Sequence, residues 1–449
     1  MDTPICDFVR AYASGGALRA HMPGHKGRGA LGAESLDITE IDGADCLYCA
    51  DGIIKESEKN AGELFGGKTF YSAEGSSLCI RAMLFLAVRK ARAEGKKPVI
   101  AAGRNAHSVF LSAAAMLDFE IVWLWPKAPK SYLSCDVGPD DLEKALEESP
   151  EPVCAVYLTT PDYLGGMTDL RGISEVCRSH GAVFLVDNAH GAYLRFLPES
   201  RHPLDFGADM CCDSAHKTLP VLTGGAYLHV SKTAPEEFAR GAESAMALFG
   251  STSPSYLILQ SLDAANRYLS DHYREKLVCF SEKIRDLKKR LENCGYDFYG
   301  GEPLKLTVRA KKYGYDGREL AAVMREKNLF CEFYDPDFVV MMLTPETGRD
   351  GLERLERTMC GIPKRPALRG EPPEFCRQER VLSVREAVFS PKEVVPVGKS
   401  AGRVLASMRV ACPPAVPVVI CGERIDNRAV KCFEYYGIET CQVAADAAL

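Results

Sequence analysis

The feature that most constrains this chain is a succession of short apolar runs set apart by helix-length stretches. The runs lie near Val99 to Ala102, Ile121 to Trp125, Val153 to Leu158, Val183 to Val186 and Met210 to Cys212. Short apolar runs separated by helices read as βαβ units. A strand buried on both faces needs no polar alternation, so the pattern predicts an α/β fold: a mostly parallel sheet with helices on both faces. Ligands of such sheets bind outside the carboxyl ends of the strands. With 449 residues, 46% of them hydrophobic and 26% charged, the chain is long enough for this core plus a smaller domain.

Residues 1–50 are rich in Gly, Pro and short polar runs without a sustained period, and read as an arm wrapping a larger body. Residues 51–295 form the predicted large domain. It opens with a helix from Lys55 to Phe65, a turn, and a long helix from about Ser76 to Ala93, and ends in a mostly helical run from Ala234 to Asn293. Residues 296–449 read as a smaller α+β domain, with strands at Leu304 to Arg309 and Phe338 to Leu343 and a helix at Arg318 to Lys327. A Pro-rich stretch suggests a subdivision near 363–380, and Pro413-Pro414 marks a further turn.

Composition removes several function classes. The formal net charge is -6 and no long basic run tracks a phosphate backbone, so nucleic acid is not the expected partner. The Met1-Asp2-Thr3-Pro4 start lacks signal-peptide regions and no stretch has the length of an apolar span, which predicts a cytoplasmic protein with no membrane partner. The 18 cysteines are scattered, several in apolar runs such as Val153-Cys154-Ala155-Val156, where a thiol behaves as a small hydrophobe; no disulfide framework is implied. Cys46-Leu47-Tyr48-Cys49 has the spacing of a zinc or dithiol pair. It lacks a second pair or suitably spaced histidines, and Cys211-Cys212 does not supply one, so no metal is expected.

The chemistry concentrates in four places. Asp213-Ser214-Ala215-His216-Lys217-Thr218 follows an apolar strand, which puts Lys217 at a site edge. Desolvation there favours a neutral amine able to attack an aldehyde as a Schiff-base nucleophile, with Ser214 and His216 placed to hold a phosphate; an exposed loop lysine is the plain alternative. Asp187 closes the strand Val183 to Val186, where a buried carboxylate needs a partner; in a pyridoxal enzyme that partner is the protonated ring nitrogen, and otherwise Asp187 is a helix N-cap. The turn Ser72-Ala73-Glu74-Gly75-Ser76-Ser77 opens a helix whose free N–H groups suit phosphate, with simple serine capping as the alternative. His107, just past the strand Val99 to Ala102, can stack on a planar ring or be an ordinary core histidine. The order of these elements within one parallel-sheet domain makes them support one another.

These residues resemble the prokaryotic ornithine, lysine and arginine decarboxylases, fold type I pyridoxal-phosphate enzymes of the aspartate aminotransferase-like fold. The resemblance is carried by His21-Met22-Pro23-Gly24-His25-Lys26-Gly27, Asp37-Ile38-Thr39-Glu40, Arg104-Asn105-Ala106-His107, Asp187 to Gly191, Ser214 to Pro220 and Ser253-Pro254-Ser255-Tyr256. It extends to Arg385-Glu386-Ala387-Val388-Phe389 and Val418 to Glu423 in the C-terminal segment. It implies pyridoxal 5'-phosphate on Lys217, Asp187 at the pyridinium, His107 stacked on the ring and His190 supporting a ring face. Gly75, Ser76, Ser77, Ser214 and His216 then hold the phosphate, and Thr252 reaches the phosphate of a partner subunit in a homodimer. His216 or Lys217 returns the proton, and Glu423 meets the distal positive charge of the substrate, a solvated turn glutamate being the alternative.

The implied function is decarboxylation of arginine, lysine or ornithine. Transamination or a lyase step shares the same lysine, and a catalytically silent relative is a further alternative. The chain departs from the family at Cys46 and Tyr48 in its Asp45-Cys46-Leu47-Tyr48 string, at Asn188 and Tyr193 where Glu and His are frequent, and at Gly224 where Gln is usual. These changes bear on the substrate rather than on the cofactor.

Overall fold

The computed structural model describes residues 1–126, 131–409 and 415–445; the expected Pro413-Pro414 turn lies outside them. The first part of the chain runs α1 (Pro4–Ser14), α2 (Ile53–Phe65), β1 (Lys68–Ser72), α3 (Ser76–Ala93), β2 (Val99–Gly103), α4 (Ser108–Leu117), β3 (Glu120–Leu124), α5 (Pro139–Glu147) and β4 (Ala155–Thr159). There follow α6 (Leu170–Ser179), β5 (Val183–Asp187), β6 (Met210–Asp213), α7 (Ala215–Thr218), β7 (Ala226–Val230), α8 (Glu236–Phe249), α9 (Tyr256–Ser270) and α10 (Tyr273–Asn293). The remainder is β8 (Phe298–Tyr299), β9 (Lys305–Arg309), α11 (Ala310–Tyr313), α12 (Gly317–Glu326), β10 (Phe333–Tyr334), β11 (Phe338–Met342), α13 (Gly348–Cys360), α14 (Val384–Phe389), β12 (Lys392–Pro396), α15 (Asn427–Tyr435) and β13 (Thr440–Ala444).

The chain divides into two compact units. The first comprises Met1–Gly95 and Cys177–Val278. Its β5 and β6 are parallel, while β7 pairs antiparallel with both β6 and β1. Every residue of β5, β6 and β7 is buried, which is why β5 and β6 read as apolar runs. Helix α3 packs on β6, β7 and α8, and its apolar residues occupy most of its circumference because it is covered on several sides. Two expectations are corrected here. The segment between α2 and α3 is not only a turn but holds β1, an edge strand whose exposed Lys68 breaks the apolar pattern. The arm begins with α1: Pro4 supplies a favourable first-turn φ, and Ile5, Cys6 and Val9 are buried on one face.

A polar network fixes that helix to the body. The Cys6 N–H donates to Asp263 Oδ2 at 2.9 Å, and the Ser57 hydroxyl donates to Asp263 Oδ1 at 2.5 Å. Asn266 Nδ2 donates to the Tyr71 hydroxyl at 2.7 Å and to the Ser57 carbonyl at 3.0 Å. Farther along the arm, His25 meets Asp37 at 3.1 Å, and the Tyr256 hydroxyl donates to the carbonyl of Asp45 at 2.7 Å. The motif residues of the arm thus serve to hold an otherwise irregular backbone.

The second unit comprises Lys96–Val176 and Cys279–Leu449. Its β2 pairs parallel with β3 and β4, and with the parallel β5–β6 pair this gives the fold its mostly parallel α/β class. A four-stranded antiparallel sheet, β10-β11-β9-β8, and the antiparallel β12–β13 pair supply the small α+β region. Its core joins Leu133, Val340, Val419 and Phe433, all essentially without solvent exposure. Cys294 and Cys360 are joined as a disulfide with Cα atoms 5.8 Å apart, a pairing that the scattered cysteine pattern did not reveal. Among the described residues, no helix is long and apolar enough to cross a membrane.

Candidate active site

Strand register brings the first unit's chemical groups to one edge. Asp187 lies beside Cys212 in the parallel β5–β6 pair, so Asp187 and the segment after Asp213 leave the sheet together. Asp213 stands opposite Tyr227 and Ala226 opposite Ser72 in the antiparallel pairs, which returns the carboxyl end of β1 to the same edge. Segments distant in sequence converge there: the Ser72–Gly75 turn, the Asp187–Gly191 string and the Ser214–Lys217 loop.

The turn at the start of α3 is built around glycine. Gly75 is the N-cap with φ 71°, a region open to glycine, and it makes no side-chain cap. Serine capping is therefore not what Ser76 does: it is the first helical residue, and its hydroxyl accepts from the Ser214 hydroxyl at 2.8 Å. The Gly75 N–H donates to the Gly224 carbonyl at 2.7 Å. Gly224 has φ 102°, and a Cβ there would stand 2.9 Å from the Ala73 carbonyl oxygen. The departure at Gly224 thus has a local cause, the close approach of the turn. Ser77 follows in the first turn of α3 and is partly exposed. Glu74 accepts the Ser251 N–H at 2.5 Å, tying the loop that carries the exposed Thr252 to this turn.

Lys217 sits on the short α7, with Nζ 3.0 Å from Nε2 of the buried His190. His216 Nδ1 is 2.9 Å from the Gly225 carbonyl, which can only accept, so that nitrogen carries the proton. Asp187 is 2% exposed. Its Oδ1 accepts the Ala189 N–H at 3.1 Å and the Cys212 thiol at 3.7 Å, so it closes a tight turn rather than capping an α-helix. Asn188, one of the departures, is fully buried and donates from Nδ2 to Asp213 at 2.6 Å. Tyr193, another, is fully buried in the 3₁₀ turn Ala192–Phe196. The sequence reading missed Cys212, Asp213 and the histidines beyond it, because no local spacing announces contacts made by strand register.

Tyr48 packs against the backbone near Gly250, where a Cβ would come within 2.2 Å of its hydroxyl. Burial pushes the Cys46 thiol up to about 12, helped by Cys49 and Glu40 beside it.

Three motif residues belong to the second unit. His107 is the N-cap of α4 and accepts the Val109 N–H on Nδ1 at 3.2 Å. Arg104, 1% exposed, donates to the carbonyls of Pro417 and Val418 at 2.8 and 2.9 Å and lies over the rings of Trp125 and Phe375. Burial lowers its guanidinium to about 10, with Glu423 acting in the other direction. Glu423 is 6% exposed and accepts the Ile420 N–H at 2.8 Å; burial pushes its carboxyl up, and Arg104 and that N–H pull it back. It is a buried turn residue in the field of Arg104, not a solvated one.

A mostly parallel sheet with a strand-end lysine, a strand-end aspartate and a glycine–serine turn places the molecule among the fold type I α/β enzymes. Residues 3–296 match the Orn/Lys/Arg decarboxylase major domain and residues 379–442 the Orn/Lys/Arg decarboxylase C-terminal domain, and the chain belongs to the Orn/Lys/Arg decarboxylase family. It is 30% identical over 470 residues to the uncharacterized protein YaaO of Bacillus subtilis, covering 96% of this chain and 93% of that one. An arginine decarboxylase of Halalkalibacterium halodurans is 29% identical over 472 residues, covering 94% and 91%. Lysine decarboxylase A from Pseudomonas aeruginosa has a similar structure, with a TM-score of 0.81 at 16% identity over 98% of this chain and 80% of that one.

Proposed function

We propose that this chain is a pyridoxal-phosphate-dependent decarboxylase of a basic amino acid, arginine, lysine or ornithine, with Lys217 as the residue that carries the cofactor. The observation that bears most of this reading is the Lys217 amine 3.0 Å from His190, on the same sheet edge as buried Asp187 and the Ser76–Ser214 hydroxyl pair. The donor set fits the cofactor: a helix start with an uncapped turn for a phosphate, a buried carboxylate for a ring nitrogen and an amine for an aldehyde. Family membership, and relatives named arginine decarboxylase or lysine decarboxylase, support the substrate class.

When bound, pyridoxal phosphate supplies an electron sink for the pair left behind as the C–CO₂ bond breaks. Asp187 would keep a proton on the ring nitrogen, in a setting too buried for water to take over that role. Gly75, Ser76, Ser77, Ser214 and His216 would hold its phosphate. His190 orients the Lys217 amine, and Lys217 or His216 returns a proton to the substrate carbon. By the family resemblance, His107 would stack on the ring and Thr252 would reach the phosphate in the neighbouring subunit of a homodimer.

Incubating the purified protein with pyridoxal phosphate and each amino acid in turn, then measuring CO₂ and product, tests the assignment. The expected result is release of CO₂ and the matching amine from arginine, lysine or ornithine. A keto acid product, or CO₂ from neutral amino acids alone, would overturn it.

A further inference from the structure

Behind the proposed cofactor groups lies a buried polar cluster that the reaction itself does not use. Asp213, His202 and His229 have no solvent exposure. Asp213 Oδ2 stands 3.1 Å from His202 Nε2 and 3.2 Å from His229 Nε2, while Oδ1 takes the Asn188 Nδ2–H at 2.6 Å. The proton positions follow from chemistry. A carboxylate only accepts, so both imidazoles present Nε2–H and Asn188 presents its amide nitrogen. The Thr69 hydroxyl, 2.8 Å from His229 Nδ1, then donates to that nitrogen. His202 Nδ1 has no partner among the described residues. Burial by itself would raise the Asp213 carboxyl, but the two imidazoles outweigh it and hold the group well below the usual carboxylate range.

The cluster is fixed in place by its surroundings. Phe65 packs on both imidazoles, with ring centroids 4.5 Å from His229 and 5.6 Å from His202. The Asn188 amide packs closely on Gly191, where a Cβ would stand 2.0 Å from its Oδ1. The two ends of the Asn188–Asp213 bond are immediate chain neighbours of Asp187 and Ser214. The bond therefore ties the two strand ends together at the point where the cofactor groups depart.

We infer that Asp213 is a positioning residue, which through Asn188 locks the segment 187–190 to the loop 214–217 and so fixes Asp187 and Lys217 in register for pyridoxal phosphate. This deepens the proposed function and rests on its reading of Lys217 and Asp187. His202, Cys211 and Asp213 also place donor atoms close enough to hold a metal ion. We favour the hydrogen-bonded reading, because His202 and Asp213 already satisfy each other.

The test is a double-mutant cycle on the full-length protein, read by the dissociation constant for pyridoxal phosphate, the thermal midpoint of the apoprotein and the histidine ring ¹⁵N shifts. Asn188→Ala deletes the link but leaves Asp213 between its histidines. It should weaken cofactor binding by about tenfold to a hundredfold, the loss of one charge-assisted hydrogen bond, while the apoprotein midpoint moves by only a few degrees. Adding Asp213→Asn to Asn188→Ala should weaken binding no further. The ¹⁵N shifts should report a proton on Nε2 of both rings. Cofactor binding by Asn188→Ala within twofold of wild type, effects of the two changes that multiply, or stoichiometric metal in the purified protein would each overturn the inference. Failure of the wild-type protein to bind the cofactor would instead refute the reading of Lys217.

Discussion

Replacing Asp187 by Asn separates the charge of this carboxylate from its shape. Asparagine is isosteric, and its oxygen can still accept the Ala189 N–H that Asp187 Oδ1 takes at 3.1 Å. The β5 end and its register with β6 are therefore retained, and the apoprotein should unfold in urea within about 1 kcal/mol of wild type. What is lost is an anion able to keep a ring nitrogen protonated. Asp187 is 2% exposed, so neither solvent nor salt replaces that charge. A charge-assisted hydrogen bond is worth about 1.5–3 kcal/mol, and each 1.36 kcal/mol is a factor of ten in rate, giving a fall in kcat of about ten- to a hundredfold. The assay is initial CO₂ release at saturating cofactor with the best of arginine, lysine and ornithine. A kcat within threefold of wild type, or a loss carried entirely by KM, would refute this role for Asp187.

Glu58 and Glu423 give two further expectations. Burial pushes the Glu58 carboxyl up from 4.5 to about 8, so the folded chain holds a proton that the unfolded chain has lost between those values; stability falls as pH rises through that window, by up to about 1.4 kcal/mol per unit. Glu58→Gln, whose amide oxygen can still accept the Tyr71 N–H, should therefore match wild type near pH 5 and exceed it at pH 8.5 in urea unfolding, and a parallel pH dependence in both proteins would contradict this. Glu423→Gln should destabilise the protein by about 1.5–3 kcal/mol, because it removes the countercharge near buried Arg104, while KM for basic substrates stays unchanged. A rise in KM confined to basic substrates, without loss of stability, would assign Glu423 to the substrate instead.

The parts that were legible in the sequence are those fixed by local pattern. The buried strands showed as apolar runs because β5 and β6 are covered on both faces, and α3 was readable from its turn and its length. Helix α1 was hidden by the Gly- and Pro-rich residues that follow it, and β1 by a single exposed lysine next to Gly66-Gly67. At the site, the motif residues Lys217, His216 and Asp187 stood out because each ends or follows an apolar run. Their partners did not. His202 follows an arginine and precedes a proline in an ordinary loop, and His229 sits inside a strand; only the pairing of β6 with β7 and β5 brings His229 and Asn188 to Asp213. The field acting on Glu423 was likewise unreadable, since it comes from Arg104, far away in the chain.

The central claim is that Lys217 is the amine that carries pyridoxal phosphate, and one measurement reaches it directly. The protein is loaded with the cofactor, reduced with borohydride, digested and mapped by mass spectrometry. Reduction makes the attachment permanent, so the modified residue is identified whatever the substrate proves to be. We expect the adduct on Lys217, together with a visible absorption band that Lys217→Ala abolishes. An adduct on a different lysine with none on Lys217, or an unchanged band in Lys217→Ala, would contradict the account.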